Sequence, residues 1–304
     1  MSRRLPTLLL VVLAIFGALA AAPCLAAEKM QVVLLRSKGA NFDVAAAGFR
    51  HNRTPVLDLA VDLSAPVDGL VEKVKSAHPD VLVAIGSDAA RFAGVRFPEI
   101  PRVVALAPGD DSPHSAPIVV VDSEIPASVQ MGWIAEVLPD VQAIGIVYDP
   151  KSSQGLVDAL SAAAAAAKKK KGKLSVVPIP VGAESEVPAA FHQKLGGIQA
   201  LLFVPDPTVI TLGTIRYLLK ESLAAGIPAI GFNGYFVQNG AVLAITLDYD
   251  GIGRQSADNV GKLLEHPAGI VEPPAKVTVW VNSRVAQKLG IRTGGYPDDV
   301  QEIR

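Results

Sequence analysis

Short apolar runs rich in Val, Ile and Leu recur along the chain with helix-length segments between them, and this alternation constrains the fold most. Runs at 31–36, 55–61, 81–85, 103–106, 118–121, 143–148, 174–179, 200–204, 229–230, 242–246 and 277–281 read as strands. Most are continuous rather than alternating, the pattern of strands buried on both faces of a parallel sheet. Helical patterns at 67–77, 127–137, 155–168, 211–225 and 253–265 lie between them. The βαβα order predicts an α/β protein with open parallel sheets. So many strands in 304 residues exceed one compact open sheet, so two are expected. The first cut falls at 121–126, where Asp122-Ser123-Glu124-Ile125-Pro126 follows a strand and precedes a helix. Right-handed crossovers build each sheet and place ligands outside the carboxyl ends of the strands, so two facing lobes would form a cleft.

Composition narrows the function classes. With 50% apolar residues and a net charge of -1, the chain has neither the polarity of a disordered protein nor a basic excess to neutralise phosphates. Nucleic acid is not an expected partner. Cys24 is the only cysteine, which excludes an internal disulfide and a thiolate zinc site.

Residues 1–27 read as a signal peptide. Arg3 and Arg4 precede an apolar stretch from Leu8 to Ala22, and the small residues of Pro23-Cys24-Leu25-Ala26-Ala27 end just before Glu28. Cleavage there would send a soluble chain to the periplasm. Two alternatives stand beside it: a lipid on Cys24, against which Pro23 argues, and an uncleaved anchor, since 5–27 nearly spans a bilayer. The run Lys168–Lys171 after an alanine-rich helix reads as a solvated helix end that complements the helix dipole.

Catalytic signatures are missing. His51, His78, His114, His192 and His266 are scattered without metal-ligand spacing, so no metal site is expected. The chain has no G-x-S-x-G elbow and no phosphate-binding G-x-x-x-x-G-K-[ST] loop, and its first strand runs into Ser37-Lys38-Gly39-Ala40-Asn41 rather than a dinucleotide fingerprint. Gly251-Ile252-Gly253 reads only as the start of a helix. No cofactor is expected. Polar residues do gather after the strands: Ser37, Gly86-Ser87-Asp88, Asp149-Pro150-Lys151-Ser152-Ser153, Pro205-Asp206-Pro207-Thr208, Asn233 and Asp248-Tyr249. Helix capping explains any one of them, while their repetition at one presumed crevice points to binding.

At these residues the chain resembles the tryptophan/tyrosine-type substrate-binding proteins of ABC transporters, which have the type I periplasmic-binding-protein fold. The resemblance is carried in order by Ala46-Ala47-Gly48-Phe49, by 83–90 around Gly86-Ser87-Asp88, and by 144–150 ending in Asp149-Pro150. It continues through 202–209 with Pro205-Asp206-Pro207-Thr208, Phe236-Val237-Gln238-Asn239-Gly240-Ala241, Asp248-Tyr249, Gly253-Arg254-Gln255-Ser256-Ala257, and 281–290. It breaks at 107–121, where valines stand in place of the family's N-x-T-G, which weakens the case for an amino-acid ligand.

The resemblance implies two Rossmann-like lobes joined by three hinge crossovers. Lobe 1 would hold 28–121 and 248–274, lobe 2 125–245 and 276–290, with 291–304 a C-terminal tail. It also implies ligand contacts at Ser37, Phe42, Ser87, Ser152, Ser153, Asp206, Thr208, Asn233 and Asp248. Asp248 suits a ligand ammonium, Ser87 and Thr208 suit carboxylate or amide oxygens, and Phe42 suits a flat group. The expected function is that of an exported, monomeric solute-binding protein, not an enzyme. It would pass an amino acid-like or aromatic, nucleoside-like ligand to an ABC permease in the inner membrane. Two rivals remain: a sensor reporting occupancy to a membrane receptor, and a hydrolase using Asp206, Asp248 and Asp88 as acid and base.

Overall fold

The structure, a computed structural model, describes residues 30–167, 172–265, 269–292, 295–297 and 300–303. The expected signal peptide and the lysine run at 168–171 lie outside them. Among the described residues no helix is long and apolar enough to cross a membrane.

The chain begins with repeated strand–helix units: β1 (Val32–Ser37), α1 (Ala40–Asn52), β2 (Leu57–Val61), α2 (Asp68–Ser76), β3 (Val81–Ile85), α3 (Ser87–Arg96), β4 (Arg102–Ala105) and β5 (Ile118–Val121). It continues through α4 (Ala127–Val137), β6 (Ala143–Tyr148), α5 (Pro150–Ala166), β7 (Ser175–Pro180), α6 (Val187–Lys194), β8 (Ala200–Leu202) and α7 (Leu212–Ala224). β9 (Ala229–Gly231), α8 (Gly234–Gln238) and β10 (Leu243–Leu247) follow. The last elements are α9 (Tyr249–Glu265), β11 (Ile270–Glu272), β12 (Val277–Asn282), α10 (Ser283–Lys288) and β13 (Val300–Ile303).

Two sheets result, in the order β11-β5-β4-β3-β1-β2 and β13-β12-β10-β9-β8-β6-β7. The first is parallel throughout, with β1 at Leu34 beside Val83 of β3 and Asp58 of β2. The second is parallel except where β10 meets β12. This is the α/β, two-sheet, type I periplasmic-binding-protein architecture that the strand pattern and the resemblance lead to expect. Continuous apolar strands such as 81–85 are buried at every residue, because helices cover both faces. Each sheet carries its own core, one around Leu35, Leu82, Phe92 and Val104. The other sheet is packed on its two faces, around Ile144, Leu202 and Val281 and around Phe191, Phe203 and Phe236.

The structure adds elements that the pattern leaves out. α3 begins on Ser87, directly after Gly86, with no loop between strand and helix. α6, α8 and α10 are 8, 5 and 6 residues long, too short to show a helical period. β11 has only three residues. Within the expected tail, Val300–Ile303 forms β13 and extends the second sheet beside β12.

The chain passes between the sheets three times: after β5, between β10 and α9, and between β11 and β12. α9 packs on α1 and on β4 and β5, so it belongs to the layer over the first sheet. That crossing is close because both helices present glycine. A Cβ on Gly48 would overlap the Asp250 carbonyl oxygen, and one on Gly253 would overlap that of Ala45. Gly253 is therefore more than part of a helix start: it lets α1 and α9 approach backbone to backbone.

Candidate functional site

A cleft of about 1200 Å³ lies where the three crossovers meet. Asp122–Pro126 from the first, Leu247–Asp250 from the second and Val271 and Pro273 from the third all line it. Local bonds hold each in place. The Asp122 amide donates to the Glu272 carbonyl of β11, 2.8 Å away. Gln255 of α9 donates to the Pro273 carbonyl at 3.0 Å and accepts from the Ala275 amide at 2.9 Å, pinning the third crossover to the helix. Glu272 also accepts from Lys262 and Asn259, and the Lys262 ammonium at 2.7 Å holds its carboxyl below the usual range.

The first sheet contributes Asn41 and Val44 from the start of α1, and the second contributes Pro205, Phe232, Asn233 and Trp280. Four acidic residues line this space, Asp122, Glu124, Asp248 and Asp250, and among the described residues no Lys, Arg or His does. The Asp250 carboxylate is engaged by Arg254 at 2.6 Å. Asp248 accepts the Gly251 amide on Oδ1 and Asp122 the Glu124 amide on Oδ1, each through one oxygen. Tyr249 is half-buried, and burial raises its phenol above the ordinary value.

A second cavity, about 360 Å³, adjoins the cleft and shares Asn41, Ser123, Leu247 and Tyr249 with it. Phe42, Leu106 and Pro108 complete its wall. Leu106 has φ +56, a left-handed conformation that a bulky residue rarely adopts and that costs about 1–3 kcal/mol. The Ser123 hydroxyl is buried here without a hydrogen-bond partner among the described residues.

The nine residues singled out from the sequence divide sharply. Asn233 and Asp248 line the cleft and Phe42 lines the adjoining cavity. Both polar residues also cap helices, since the Asn233 carbonyl oxygen accepts from the Tyr235 amide. Ser37 is buried, and its hydroxyl accepts from Ala89 at 3.2 Å, supplying α3 with the cap that Gly86 cannot.

Asp206 is 1% exposed and accepts from the Asp149, Thr208 and Val209 amides and from the Ser153 hydroxyl. The Thr208 hydroxyl donates to Asp149 at 2.9 Å, and with the Lys151 amide it holds the Asp149 carboxyl below the usual range. Ser37, Ser153, Asp206 and Thr208 line neither cavity, and their polar atoms join loops of the protein to one another. Ser87 and Ser152 are exposed and line neither cavity. The sequence does not single out Phe232, Tyr249 and Trp280 as contacts, because an aromatic residue in or beside an apolar strand looks like core. The acidic segment 122–124 was read only as a boundary.

Comparison with known proteins agrees with this architecture. Residues 64–300 match the family described as ABC transporter substrate binding protein. The chain belongs to that family. Substrate-binding proteins of ABC transporters are typically exported. No curated protein matches it. Among solved structures, a ligand-free, open substrate-binding protein with adhesive properties from Clostridium difficile superposes with a TM-score of 0.70 at 17% identity, covering 90% of this chain and 99% of that one. A sugar-binding protein of a sugar ABC transporter from Bacillus halodurans gives 0.53 at 13% identity, covering 85% and 99%. A conserved domain protein from Vibrio cholerae gives 0.51 at 20%, covering 88% and 97%. At these identities the likeness is one of fold.

Proposed function

We propose that this substrate-binding protein closes on a small ligand with a flat or apolar body, amino acid-like or nucleoside-like in size. It then delivers the ligand to an ABC permease of the inner membrane. Residues 28–121 with 248–274 would move as one lobe against 125–245 with 276–290. The protein would act as a monomer in the periplasm after loss of residues 1–27, binding without catalysis. Phe42, Asn233 and Asp248 are the proposed contacts kept from the sequence, joined by Ser123, Tyr249 and Trp280.

The observation that carries this reading is the meeting of all three crossovers at one cleft. A ligand held there touches both sheets and the segments about which they would turn, so its binding energy favours the closed arrangement. Thermal-shift screening of the chain without residues 1–27 tests it. A ligand at a hundred times its Kd stabilises by about 2.7 kcal/mol, enough to raise Tm by several degrees. The same ligand should reduce the radius of gyration in X-ray scattering. No stabilisation across amino acids, amines, nucleosides and sugars would sink the reading.

A further inference from the structure

Among the described residues no cationic side chain lines either cavity, although a zwitterionic or anionic ligand would bring a carboxylate needing a counter-charge. The cleft instead faces that ligand with carboxylates. Asp250 is neutralised by Arg254 and Glu124 is exposed to solvent, which leaves the part-buried Asp122 and Asp248, each with an Oδ2 that makes no hydrogen bond among the described residues. Tyr249 and Trp280 line the same cleft, and aromatic rings attract a desolvated cation through their ring electrons. The adjoining cavity, which shares Tyr249 and Asn41, includes Phe42, Leu106 and Pro108 in its wall, surfaces that suit a ring or alkyl group, together with the Ser123 hydroxyl, which has no partner among the described residues. Charge and shape are therefore divided between two connected compartments.

We propose that the ligand is an organic monocation, an amine without a carboxylate, its ammonium held by Asp122 and Asp248 and its apolar body lodged in the cavity of Phe42 and Leu106. This rests on the solute-binding reading and sharpens it, because an amino acid of the same body would set its carboxylate among like charges. The segment 107–121 fits the assignment. The cavity residues Leu106 and Pro108 adjoin the stretch where valines replace the N-x-T-G of the resembling family, and they present carbon rather than hydroxyl groups.

Calorimetric titration of the chain lacking residues 1–27 tests this with matched probes on two bodies. Tryptamine and phenethylamine are the cations, tryptophan and phenylalanine the zwitterions, tryptophol and 2-phenylethanol the neutral forms, and indole-3-acetate and phenylacetate the anions. The expected result is an amine at least tenfold tighter than its amino acid and its acid, with affinity that weakens as salt rises. Asp248→Asn and Asp122→Asn keep an oxygen for the capping amides, and each should weaken the amine about tenfold while changing the neutral alcohol less than twofold. An equal loss for amine and alcohol would mean that these residues only shape the cleft, and overturns the assignment. An amino acid or acid that binds as tightly as the amine, or binding confined to nucleosides or sugars, overturns the amine and leaves the solute-binding reading standing. No binding by any of these classes overturns both.

Discussion

Two aspartates that look alike in sequence, Asp206 after β8 and Asp248 after β10, have opposite fates. Asp206 is buried and accepts four hydrogen bonds, tying the turn after β6 to the turn after β8. Asp248 is half-buried, accepts one amide, and lines a cleft that no cationic side chain among the described residues lines. Both follow apolar strands and both precede helices. What separates them is the number of donors the neighbouring turns bring, and that is a property of which strands lie side by side. β8 lies beside β6, so the Asp149 amide and the Ser153 hydroxyl arrive at Asp206. β10 lies beside β9 and β12, and past its end the chain leaves the sheet for α9.

The largest effect should come from removing the satisfied member of the pair. Asp206→Ala leaves four donors without their acceptor, some of them buried, and should destabilise by about 3 kcal/mol or more in urea unfolding. Little change would mean that water replaces the carboxylate and that the network is not structural. Asp248→Asn should stay within about 0.5 kcal/mol by the same measurement, its effect appearing in ligand titration instead.

The helix crossing that delivers Asp248 to the cleft comes next. Gly253→Ala sets a methyl against the Ala45 carbonyl oxygen and should cost about 1–3 kcal/mol as α9 shifts from α1. Because α9 carries Tyr249 and Asp250, this substitution should also weaken ligand binding, whereas Gly261→Ala, facing open space on the same helix, should do neither.

The smallest effect is one of pH. Hydrogen bonds from the Lys151 amide and Thr208 lower the Asp149 pKa, and those from Lys38 and Ser64 lower that of Asp62 to about 2. A carboxyl with a depressed folded value takes up protons more readily when unfolded, so its contribution is complete above the ordinary value near 4 and is lost as pH falls through the folded value. Tm should therefore drop between pH 4 and 2. Thr208→Val should make that drop shallower by removing one of the bonds that depress Asp149, while leaving the Asp62 contribution in place. An unchanged profile in the variant would show that Thr208 does not govern Asp149.

Much of the fold was legible. Strands such as 81–85 and 143–148 are buried on both faces and show as unbroken apolar runs, which mark their ends to within a residue or two. The helices α3 and α8 are not legible, because α3 starts one residue past its strand on Ser87, which reads as loop, and α8 is only five residues long. Three of the nine site expectations, Phe42, Asn233 and Asp248, lie on cavity walls. Ser37, Ser153, Asp206 and Thr208 lie off both walls, and the sequence does not separate the two groups because a polar side chain after a strand reads the same whether it meets a cavity or a neighbouring turn.

The amino-acid order alone determined the periodicity, and with it the α/β class, the two-sheet division near 121–126 and the βαβ handedness, since those depend on local burial and chain chirality. Only the tertiary structure decided that Gly48 lies against Asp250 and Gly253 against Ala45, that Asp206 is enclosed while Asp248 is not, and that no cationic side chain among the described residues lines the cleft. These are contacts between segments as much as two hundred residues apart, and a side chain's donors and counter-charges come from whatever the packing places within about 3 Å of it.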